Sequence, residues 1–547
     1  MKAFNPDLPA FDQTTAAQLE KLKMRRYSDR DSFYQIVRKY VLSQLLLSDQ
    51  DGSGDDLIGL AQASLQKMQR MDPALLRRLH ASGCRQSTAV IDKKTALIGT
   101  LEKELGLKIS LGVYPSVKTV RNLSDTLYAL AHPGPVPSCP AAESAPDIRG
   151  CKRAFPLLGR TMNGHPLVYL DSAATTQKPD AVIRQIGRLY AESNANVHRS
   201  NYRLGLEMTQ LYEDARTAVQ ALLHAESRSE IIFTAGATDA VNLAAFSFGE
   251  KYVRPGDEII VTQMEHHSNF VPWQELCRRK GAVLKMLPVL PDGTLAAQAL
   301  SAMLGKKTRL LAVTHVSNAI GTVNPIRQMA ALCRANGTAI LVDASQSVPH
   351  LAIDVRRLGC DFLVFSGHKL YGPTGIGVLY ANSKWLAELP PYRTGGIMID
   401  RVTAEETTYN EPPYRFEAGT PNYIGAVGLH AAIRFLQTFG MEAVEAYEST
   451  LLHYALEQLS RIQPLHILGS PHTRAGVLSF FVDGIRDLDL GIALDKQGIA
   501  VRVGSHCAQP LLRAFARESS VRISLGVYNT MRDIDLLCEG IQHAIKA

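Results

Sequence analysis

Short apolar runs that alternate with helical stretches constrain the fold of this chain more than any other feature. The runs are Glu230–Thr234, Glu258–Thr262, Arg309–Thr314, Ala339–Asp343 and Asp361–Ser366. Strands that alternate with helices are typical of a mostly parallel sheet that is covered by helices on both faces. Such a sheet binds ligands beyond the carboxyl ends of its strands. The sequence therefore predicts an α/β domain with a functional site at one edge of the sheet.

A proline-rich segment divides the chain. Residues 133–146 contain five prolines among small residues, a composition that neither continues a helix nor buries much surface. We expect a linker over residues 133–147, between a domain at 1–132 and a longer segment at 148–547. Within the longer segment, we expect a large domain over about 165–430. A smaller α+β domain from about 431 would also include the first part of that segment.

The apolar spacing in the first segment predicts helices and no strands of any length. Gly106 is a natural stop for the third helix. In the smaller C-terminal domain we expect a long helix after about 430, followed by strands at Gly476–Val482 and Ile499–Val503. The helices predicted from period 3.6 are Ser32–Leu47, Asp55–Met71, Thr88–Leu105 and Asn122–Leu130.

Composition argues against several classes of protein. A net charge of +7 over 547 residues, without a long basic run, argues against nucleic-acid binding. No apolar stretch is long enough to span a bilayer and the start lacks a signal-peptide pattern, so we expect a cytoplasmic protein without a membrane partner. The 8 cysteines lack Cys-x-x-Cys spacing, which argues against a metal site or a disulfide framework and fits a reducing compartment.

Polar residues follow the first three apolar runs. Gly236 and Thr238 lie at the start of a predicted helix whose free N–H groups could bind a phosphate. The alternative is that this turn serves only as a helix cap. His266 could stack on a pyridine ring and transfer a proton, or lie in a surface histidine pair. Asn318 could bind a phenolic oxygen, or serve as a turn residue.

The last two apolar runs end on charged groups. Asp343 ends a buried strand, where a carboxylate is costly unless it is paired. A pyridinium N–H would pair it, and a helix cap is the alternative. Lys369 could be a solvated cation, or an amine that condenses with an aldehyde. Complementary groups at successive strand ends favour a site for pyridoxal phosphate (PLP).

Cys507 lies in a polar, glycine-containing loop, unlike the usual buried and inert cysteine. Neighbouring Arg502 and His506 would favour the reactive thiolate. Arg522 could hold a substrate carboxylate through two parallel bonds, or form a surface salt bridge. A Schiff-base amine together with a thiol nucleophile indicates PLP chemistry on a cysteine-like substrate.

From about residue 148 to its end, the chain resembles the SufS/CsdA-type (group II) cysteine desulfurases, which are fold-type-I PLP enzymes. Two local differences stand out. The loop Gly504-Ser-His-Cys507 has a serine where the family often has a histidine, and Ala237 takes the place of a common threonine. The resemblance rests on Tyr169-Leu-Asp-Ser-Ala-Ala174, Asn196-Val-His-Arg199, Met264-Glu-His-His267, Pro272-Trp-Gln274, His315-Val-Ser-Asn-Ala-Ile-Gly-Thr322, Phe365-Ser-Gly-His-Lys-Leu-Tyr-Gly-Pro-Thr-Gly-Ile-Gly377 and Arg415-Phe-Glu-Ala-Gly-Thr-Pro-Asn422.

The resemblance implies a role for each of these groups. Lys369 carries the cofactor, His266 stacks on its ring and Cys507 takes the sulfur. Arg522 and Asn318 hold the substrate carboxylate, with Ala174 beside them. Thr420 would complete the phosphate site of the partner subunit in a homodimer. The implied cofactor-binding set is Lys369, Thr238, His266, Asn318, Asp343, Gln346, Ser366, His368 and Thr420.

The implied reaction converts L-cysteine to L-alanine and leaves a persulfide on Cys507. A SufE/CsdE-like acceptor protein, or a thiol, would then take the sulfur. Selenocysteine lyase or C–S lyase activity would use the same pocket. A PLP enzyme that serves a carrier-protein-dependent biosynthetic pathway is a further alternative.

The N-terminal segment resembles the second half of an acyl carrier domain. Its motifs are Leu101-Glu-Lys-Glu-Leu-Gly-Leu-Lys-Ile109, Val113-Tyr-Pro-Ser-Val117 and Asn122-Leu-Ser-Asp125. Where carrier domains place their phosphopantetheine serine, this chain reads Val90-Ile-Asp92, and Ser87 is the nearest serine. A carrier-like domain and a helical docking domain both remain open.

Overall fold

The computed structural model describes residues 13–24, 27–45, 47–48, 54–71, 86–107, 109, 117–132 and 148–546. The predicted linker at 133–147 lies outside the described residues. The chain divides into two compact units. The first takes in Met1–Glu143, Ser193–Asp214 and Asp400–Thr408, and the second takes in Ser144–Glu192, Ala215–Ile399 and Tyr409–Ala547.

The N-terminal part of the first unit is helical, as the sequence predicts. Asp29 caps the second helix by accepting a hydrogen bond from Ser32 N, and Gly106 ends the fourth with a φ of +64°. Apolar residues at helical spacing, such as Phe33, Val37 and Leu101, form its core. The helices are α1 (Gln13–Lys23), α2 (Arg30–Gln44), α3 (Leu57–Met71), α4 (Gln86–Leu105) and α5 (Val120–Ala131).

After residue 148, strands and helices alternate. The strands are β1 (Thr161–Met162), β2 (His165–Pro166), β3 (Val168–Tyr169), β4 (Ile231–Thr234), β5 (Glu258–Thr262), β6 (Val283–Leu287), β7 (Thr308–Thr314), β8 (Ala339–Asp343), β9 (Phe362–Ser366), β10 (Gly377–Ala381), β11 (Ile399–Val402), β12 (Thr407–Tyr409), β13 (Leu465–Ile467), β14 (Val477–Val482), β15 (Ile499–Ala500), β16 (Arg502–Gly504) and β17 (Ser520–Ser524). The helices are α6 (Asp180–Glu192), α7 (Arg203–Leu223), α8 (Ala237–Tyr252), α9 (Val271–Lys280), α10 (Ala297–Met303), α11 (Ile326–Asn336), α12 (Val355–Leu358), α13 (Ser383–Leu386), α14 (Tyr423–Gln437), α15 (Met441–Ser460), α16 (Asp487–Asp495), α17 (Gln509–Ala514) and α18 (Met531–Lys546).

A seven-stranded sheet organises the second unit, in the order β4-β10-β9-β8-β7-β5-β6. β10 runs antiparallel to both of its neighbours, and the pairings from β9 to β6 are parallel. The predicted α/β class is confirmed, and the five predicted apolar runs are β4, β5, β7, β8 and β9. Two strands of this sheet were not predicted from sequence: β6, whose apolar pattern is broken by Lys285, and β10, which follows the glycine-rich lysine motif.

A smaller region forms around a four-stranded antiparallel sheet in the order β13-β14-β17-β16. The predicted strand Gly476–Val482 corresponds to β14. The predicted strand Ile499–Val503 is wrong as a single element. Its first part, β15, pairs in parallel with β3, whereas β16 pairs with β17. Among the described residues, no helix combines the length and the apolar character needed to cross a membrane.

Candidate active site

The carboxyl ends of β4, β5, β7, β8 and β9 border a cavity of ≈ 210 Å³. The parallel register carries Thr314 and Asp343, the last residues of β7 and β8, to the same edge of the sheet. Most of the residues predicted from sequence line this cavity: Ala174, Thr238, His266, Asn318, Asp343, Ser366, His368, Lys369 and Arg522. Residues far apart in the chain therefore converge on one concave site.

Lys369 ends a short 3-10 turn that directly follows β9. The preceding carbonyl, His368 O, accepts hydrogen bonds from Thr176 N at 3.1 Å and from Lys178 Nζ at 2.8 Å, which anchor the turn. Burial lowers the pKa of Lys369, and the nearby charge of Asp343 opposes that shift. An amine with a lowered pKa is more often unprotonated, which is the form that attacks a carbonyl.

Asp343 places a carboxylate at the cavity wall. It is 5% exposed, and its Oδ1 accepts a hydrogen bond from Ser345 N at 2.9 Å. A buried carboxylate is costly unless a donor or a cation faces it. The cavity is where a ligand could supply that donor.

A cradle for an anion lies at the start of α8. Ala237 N donates to Ser366 Oγ at 2.8 Å, and the hydroxyls of Thr238 and Ser268 are 2.7 Å apart. A Cβ on Gly377 would lie 2.4 Å from Gly236 Cα, so this close approach of two backbones requires glycine at 377. Free N–H groups and hydroxyls at a helix N-terminus suit a phosphate.

His266 faces the cavity as a neutral imidazole. Its Nδ1 accepts a hydrogen bond from Ser268 N at 3.1 Å, which leaves the proton on Nε2. Burial, followed by the charge of Lys369, lowers the pKa of His266 to about 3. A neutral imidazole can lie against an aromatic ring without bringing in a second positive charge.

The Cys507 loop leaves β16 with two consecutive left-handed residues, His506 at φ +54° and Cys507 at φ +56°. Non-glycine residues in this region are strained and need outside support. Asn318 Nδ2 donates to His506 O at 2.7 Å and His267 N donates to Cys507 O at 2.8 Å. These two bonds tie the loop to the ends of β7 and β5.

The Cys507 thiol is half-buried beside the cavity rather than among its lining residues. Arg502 lines the cavity, and its Nη2 lies 3.8 Å from Cys507 Sγ. This contact places a positive charge beside the sulfur atom of Cys507. The expectation from sequence that Arg502 lies near Cys507 is confirmed by this contact.

Arg522 is 1% exposed and has a partner on two of its nitrogens. Nη2 donates to Asp171 Oδ1 at 2.7 Å, and Nη1 donates to Asn318 O at 2.9 Å. Nε is buried and has no hydrogen-bond partner among the described residues. A buried donor without a partner is costly, so a ligand atom in the cavity would stabilise it.

Two predicted cofactor ligands are not among the residues that line the cavity. Gln346 Nε2 donates to Ala173 O at 2.8 Å, which fastens the segment beside Ala174. Thr420 is exposed to solvent. The direct cofactor contacts of both residues stay predictions.

Two ionisable groups next to the site were not predicted from sequence: the buried Glu265 and the half-buried Lys178. Glu265 is fully buried beside His266, and Lys178 reaches the His368 carbonyl. Glu265 stands in the motif Met264–His267, but nothing in the sequence shows its bond from Thr314 N or the bond of Lys178 to the His368 carbonyl, because these partners come from distant segments. Within the part of the chain that the structure describes, no cluster of three or more His, Cys, Asp or Glu side chains is placed to hold a metal ion.

Comparison with known proteins decides the family. The model of the class-V aminotransferases matches residues 168–537, which contain both the sheet edge and the Cys507 loop. The chain belongs to the class-V aminotransferase family. Membership in this family implies PLP as cofactor, and the donor set at the cavity is compatible with it. The helices at 13–132 lie before the matched region.

Several curated relatives of this chain are named cysteine desulfurases. One from Yersinia pestis is 49% identical over 400 residues, which cover 73% of this chain and 98% of that protein. A probable cysteine desulfurase from Mycolicibacterium paratuberculosis is 45% identical over 408 residues, and the matched region spans only 60% of that longer relative.

A solved structure confirms the fold. The cysteine desulfurase CsdA from Escherichia coli superposes with a TM-score of 0.68 at 35% identity, covering 72% of this chain and 97% of CsdA. The predicted fold-type-I class and the resemblance to group II cysteine desulfurases are confirmed. The acyl-carrier resemblance of the N-terminal helices stays a prediction.

Proposed function

We propose that this chain is a PLP-dependent cysteine desulfurase that moves the sulfur of L-cysteine onto Cys507 and releases L-alanine. One observation carries the proposal: a half-buried amine and a carboxylate line the same cavity as Arg502, which contacts the Cys507 thiol. An amine alone fits many PLP reactions. A thiol nucleophile at the same cavity selects sulfur transfer.

The residues present fit the cofactor. Asp343 would pair with the ring nitrogen and Lys369 with the aldehyde. Ser366, His368 and Thr238 would hold the phosphate at the start of α8. Burial lowers the pKa of His368 to about 4, so it would bind as a neutral hydrogen-bonding group.

When bound, PLP supplies an electron sink for charge that develops on the substrate. The protein does the rest. Arg522 and Asn318 hold the substrate carboxylate, and the buried Nε of Arg522 gains a partner. Lys369 would take the proton from the substrate Cα, so that charge develops there, and His266 would cover the ring face and exclude water.

Sulfur transfer balances without an outside oxidant. The Cys507 thiolate attacks the substrate sulfur, a sulfur–sulfur bond forms, and the carbon–sulfur bond of the substrate breaks. The electron pair stays with the substrate carbon, which takes up a proton as alanine forms. Cys507 is left as a persulfide. A SufE/CsdE-like protein, or a small thiol, would then accept the outer sulfur.

The proposed assembly is a homodimer in which Thr420 of one protomer completes the phosphate site of the other. Thr420 is exposed and does not line the cavity of its own chain, which supports this arrangement. Sedimentation velocity of the holoenzyme at assay concentration tests it. A fully active monomer would contradict it.

The proposed organisation keeps a helical domain at 1–132, a linker at 133–147 and the catalytic segment at 148–547. Within the catalytic segment, the large domain spans about 165–430 and the small domain begins at about 431. Every residue that lines the cavity lies after residue 148.

The test of the activity measures alanine and sulfide released from L-cysteine, with a thiol reductant present. In a single turnover without reductant, intact mass should show one added sulfur atom on Cys507. Alanine without a persulfide would instead support a lyase. If the holoenzyme releases neither alanine nor sulfide from cysteine, the proposed function is wrong.

A further inference from the structure

A buried carboxylate lies directly behind the cavity wall without lining it. Glu265 is fully buried. Its Oε1 accepts hydrogen bonds from Thr262 Oγ1 at 2.6 Å and Thr314 N at 2.9 Å, and its Oε2 accepts one from Asn269 Nδ2 at 2.6 Å. None of the steps proposed above uses this group.

The bonds to Glu265 join three elements. Thr262 ends β5 and Thr314 ends β7. Asn269 Oδ1 accepts from Trp273 Nε1 at 3.1 Å, and Trp273 is a fully buried residue of α9. The carboxylate and the amide therefore clamp both ends of the turn at residues 265–269 onto the sheet and the following helix.

The two histidines inside the clamped turn serve different parts of the site. His266 faces the cavity, and Asn269 N donates to His266 O at 2.8 Å. His267 N donates to Cys507 O at 2.8 Å, and His267 Nε2 accepts from Gln509 N at 3.4 Å. One short turn thus carries both the ring-facing imidazole and the support of the thiol loop.

We infer that Glu265 and Asn269 are positioning residues that hold the 265–269 turn so that His266 covers the cofactor and His267 fixes the Cys507 loop. The inference rests on the proposed function, since it gives both histidines a task in sulfur transfer. It predicts that a substitution of Glu265 or Asn269 changes both the environment of the cofactor and the reactivity of the Cys507 thiol.

Burying an ionisable side chain at position 265 costs free energy that an apolar side chain would not. Burial raises the pKa of Glu265 to about 8, although the bonds from Thr262, Asn269 and Thr314 oppose the shift. The nearby charge of Asp343 raises the pKa further. An apolar side chain of similar size would avoid this cost of burial. A carboxyl group instead imposes direction, because Oε2 accepts a bond from Asn269 in the turn and Oε1 accepts one from Thr314 N at the end of β7.

The experiment exchanges the two ends of one hydrogen bond. In Glu265→Gln, an amide N–H₂ takes the place of Oε2 and faces the N–H₂ of Asn269, so donor meets donor. In Asn269→Asp, two carboxyl oxygens face each other and the amide donor to Oε2 is lost. In the double variant, the Gln amide donates to the new Asp, whose other oxygen still accepts from Trp273 Nε1. A double-mutant cycle isolates that bond.

Holoenzyme of each variant is compared with wild type in four measurements. They are kcat and KM for L-cysteine, the visible circular dichroism of the bound cofactor, the rate of Cys507 alkylation by iodoacetamide, and the thermal midpoint. Glu275→Gln is the matched control, since Glu275 is exposed on α9 and pairs with Arg278. Each single variant should lose about tenfold in kcat with a changed cofactor signal and alkylation rate. The double variant should recover most of each, and the control should match wild type.

The outcomes separate the alternatives. Single variants that melt earlier while kcat, cofactor signal and alkylation rate stay at wild-type values would make the clamp purely structural and overturn the inference. A folded double variant that recovers none of these signals would overturn it as well. If the wild-type holoenzyme lacked desulfurase activity altogether, the proposed function would fall. The cofactor signal and the alkylation rate would still decide whether the clamp positions the turn.

Discussion

The Lys369 turn and the Cys507 loop meet at one cavity but are built in opposite ways. The turn follows a fully buried strand, and its His368 carbonyl accepts bonds from Thr175 Oγ1, Thr176 and Lys178. The loop follows the short strand β16 at the end of the small sheet, is half-buried and takes two strained left-handed residues. The amine needs a fixed, dry position. The thiol must reach a substrate inside and an acceptor outside.

Of the changes to these two regions, replacing Lys369 should have the largest effect on cofactor binding and turnover. Lys369→Ala should abolish the covalently bound cofactor and reduce turnover by about 10²- to 10⁴-fold, because no other amine lies in the described cavity wall. Visible absorbance and the alanine-forming rate check it. A variant that keeps the wild-type visible band would place the Schiff base on another lysine.

Replacing Cys507 should show that the two regions have different functions. Cys507→Ala should keep the cofactor spectrum of wild type while desulfuration of cysteine falls to background, since the thiol takes no part in holding the cofactor. Cys538→Ala is the matched control, because Cys538 is also a half-buried free cysteine and burial raises its pKa to about 11. Full alanine production by the Cys507 variant would point to another nucleophile, and activity on selenocysteine alone would favour the lyase.

A methyl group at Gly377 should test how rigid the phosphate cradle is. In Gly377→Ala, the new Cβ would lie 2.4 Å from Gly236 Cα, so one backbone must move. We expect a loss of about 1–3 kcal/mol in the free energy of unfolding and weaker cofactor binding. Gly305→Ala is the control, because no atom of the described residues lies within 4 Å of its added Cβ. Equal urea midpoints and equal cofactor affinity for the two variants would show that the backbone at Gly236 and Gly377 moves apart at little cost.

Acid should destabilise both regions through their histidines. Burial lowers the pKa of His368 to about 4 and that of His506 to about 3, from 6.5 in the unfolded chain. The unfolded chain therefore binds protons first, and stability that is complete above pH 6.5 is lost as the pH falls toward about 4 and 3. His368→Asn and His506→Asn should each reduce the slope of the free energy of unfolding against pH, because each removes one proton that the unfolded chain binds and the folded chain does not. Urea unfolding of each variant across that pH range measures the slope, and an unchanged slope would show that the imidazole is protonated in the folded state.

Removing residues 1–132 should have the smallest effect on the chemistry. The reductant-driven rate should stay near that of the full chain, because every lining residue follows residue 148. A rate driven by a protein acceptor should change more, since a docking domain raises the effective concentration of its partner. Gln62 Nε2 donates to Asn201 O at 3.3 Å, so thermal unfolding of the truncated holoenzyme should accompany the assay. Loss of the cofactor on truncation would make the helices part of the catalytic fold.

Local sequence information determined much of this protein. Alternating apolar runs located five strands of the large sheet, since strand burial leaves a trace within a few neighbouring residues. Polar residues at the ends of those runs located Asp343 and Lys369 because parallel strands bring their carboxyl ends to one edge. The motif around Cys507 identified the thiol, although nothing local showed where it would lie.

Only the tertiary structure decided how the distant parts meet. The Cys507 loop reaches the sheet through Asn318 and His267, contacts that span long stretches of chain. Glu265 stands in the motif Met264–His267, but its burial, its bond from Thr314 N and its link through Asn269 to Trp273 arise only when β5, β7 and α9 pack together. Periodicity reports which face of an element is buried. Long-range packing determines which distant residues contact that face, and these contacts determine the geometry of the site.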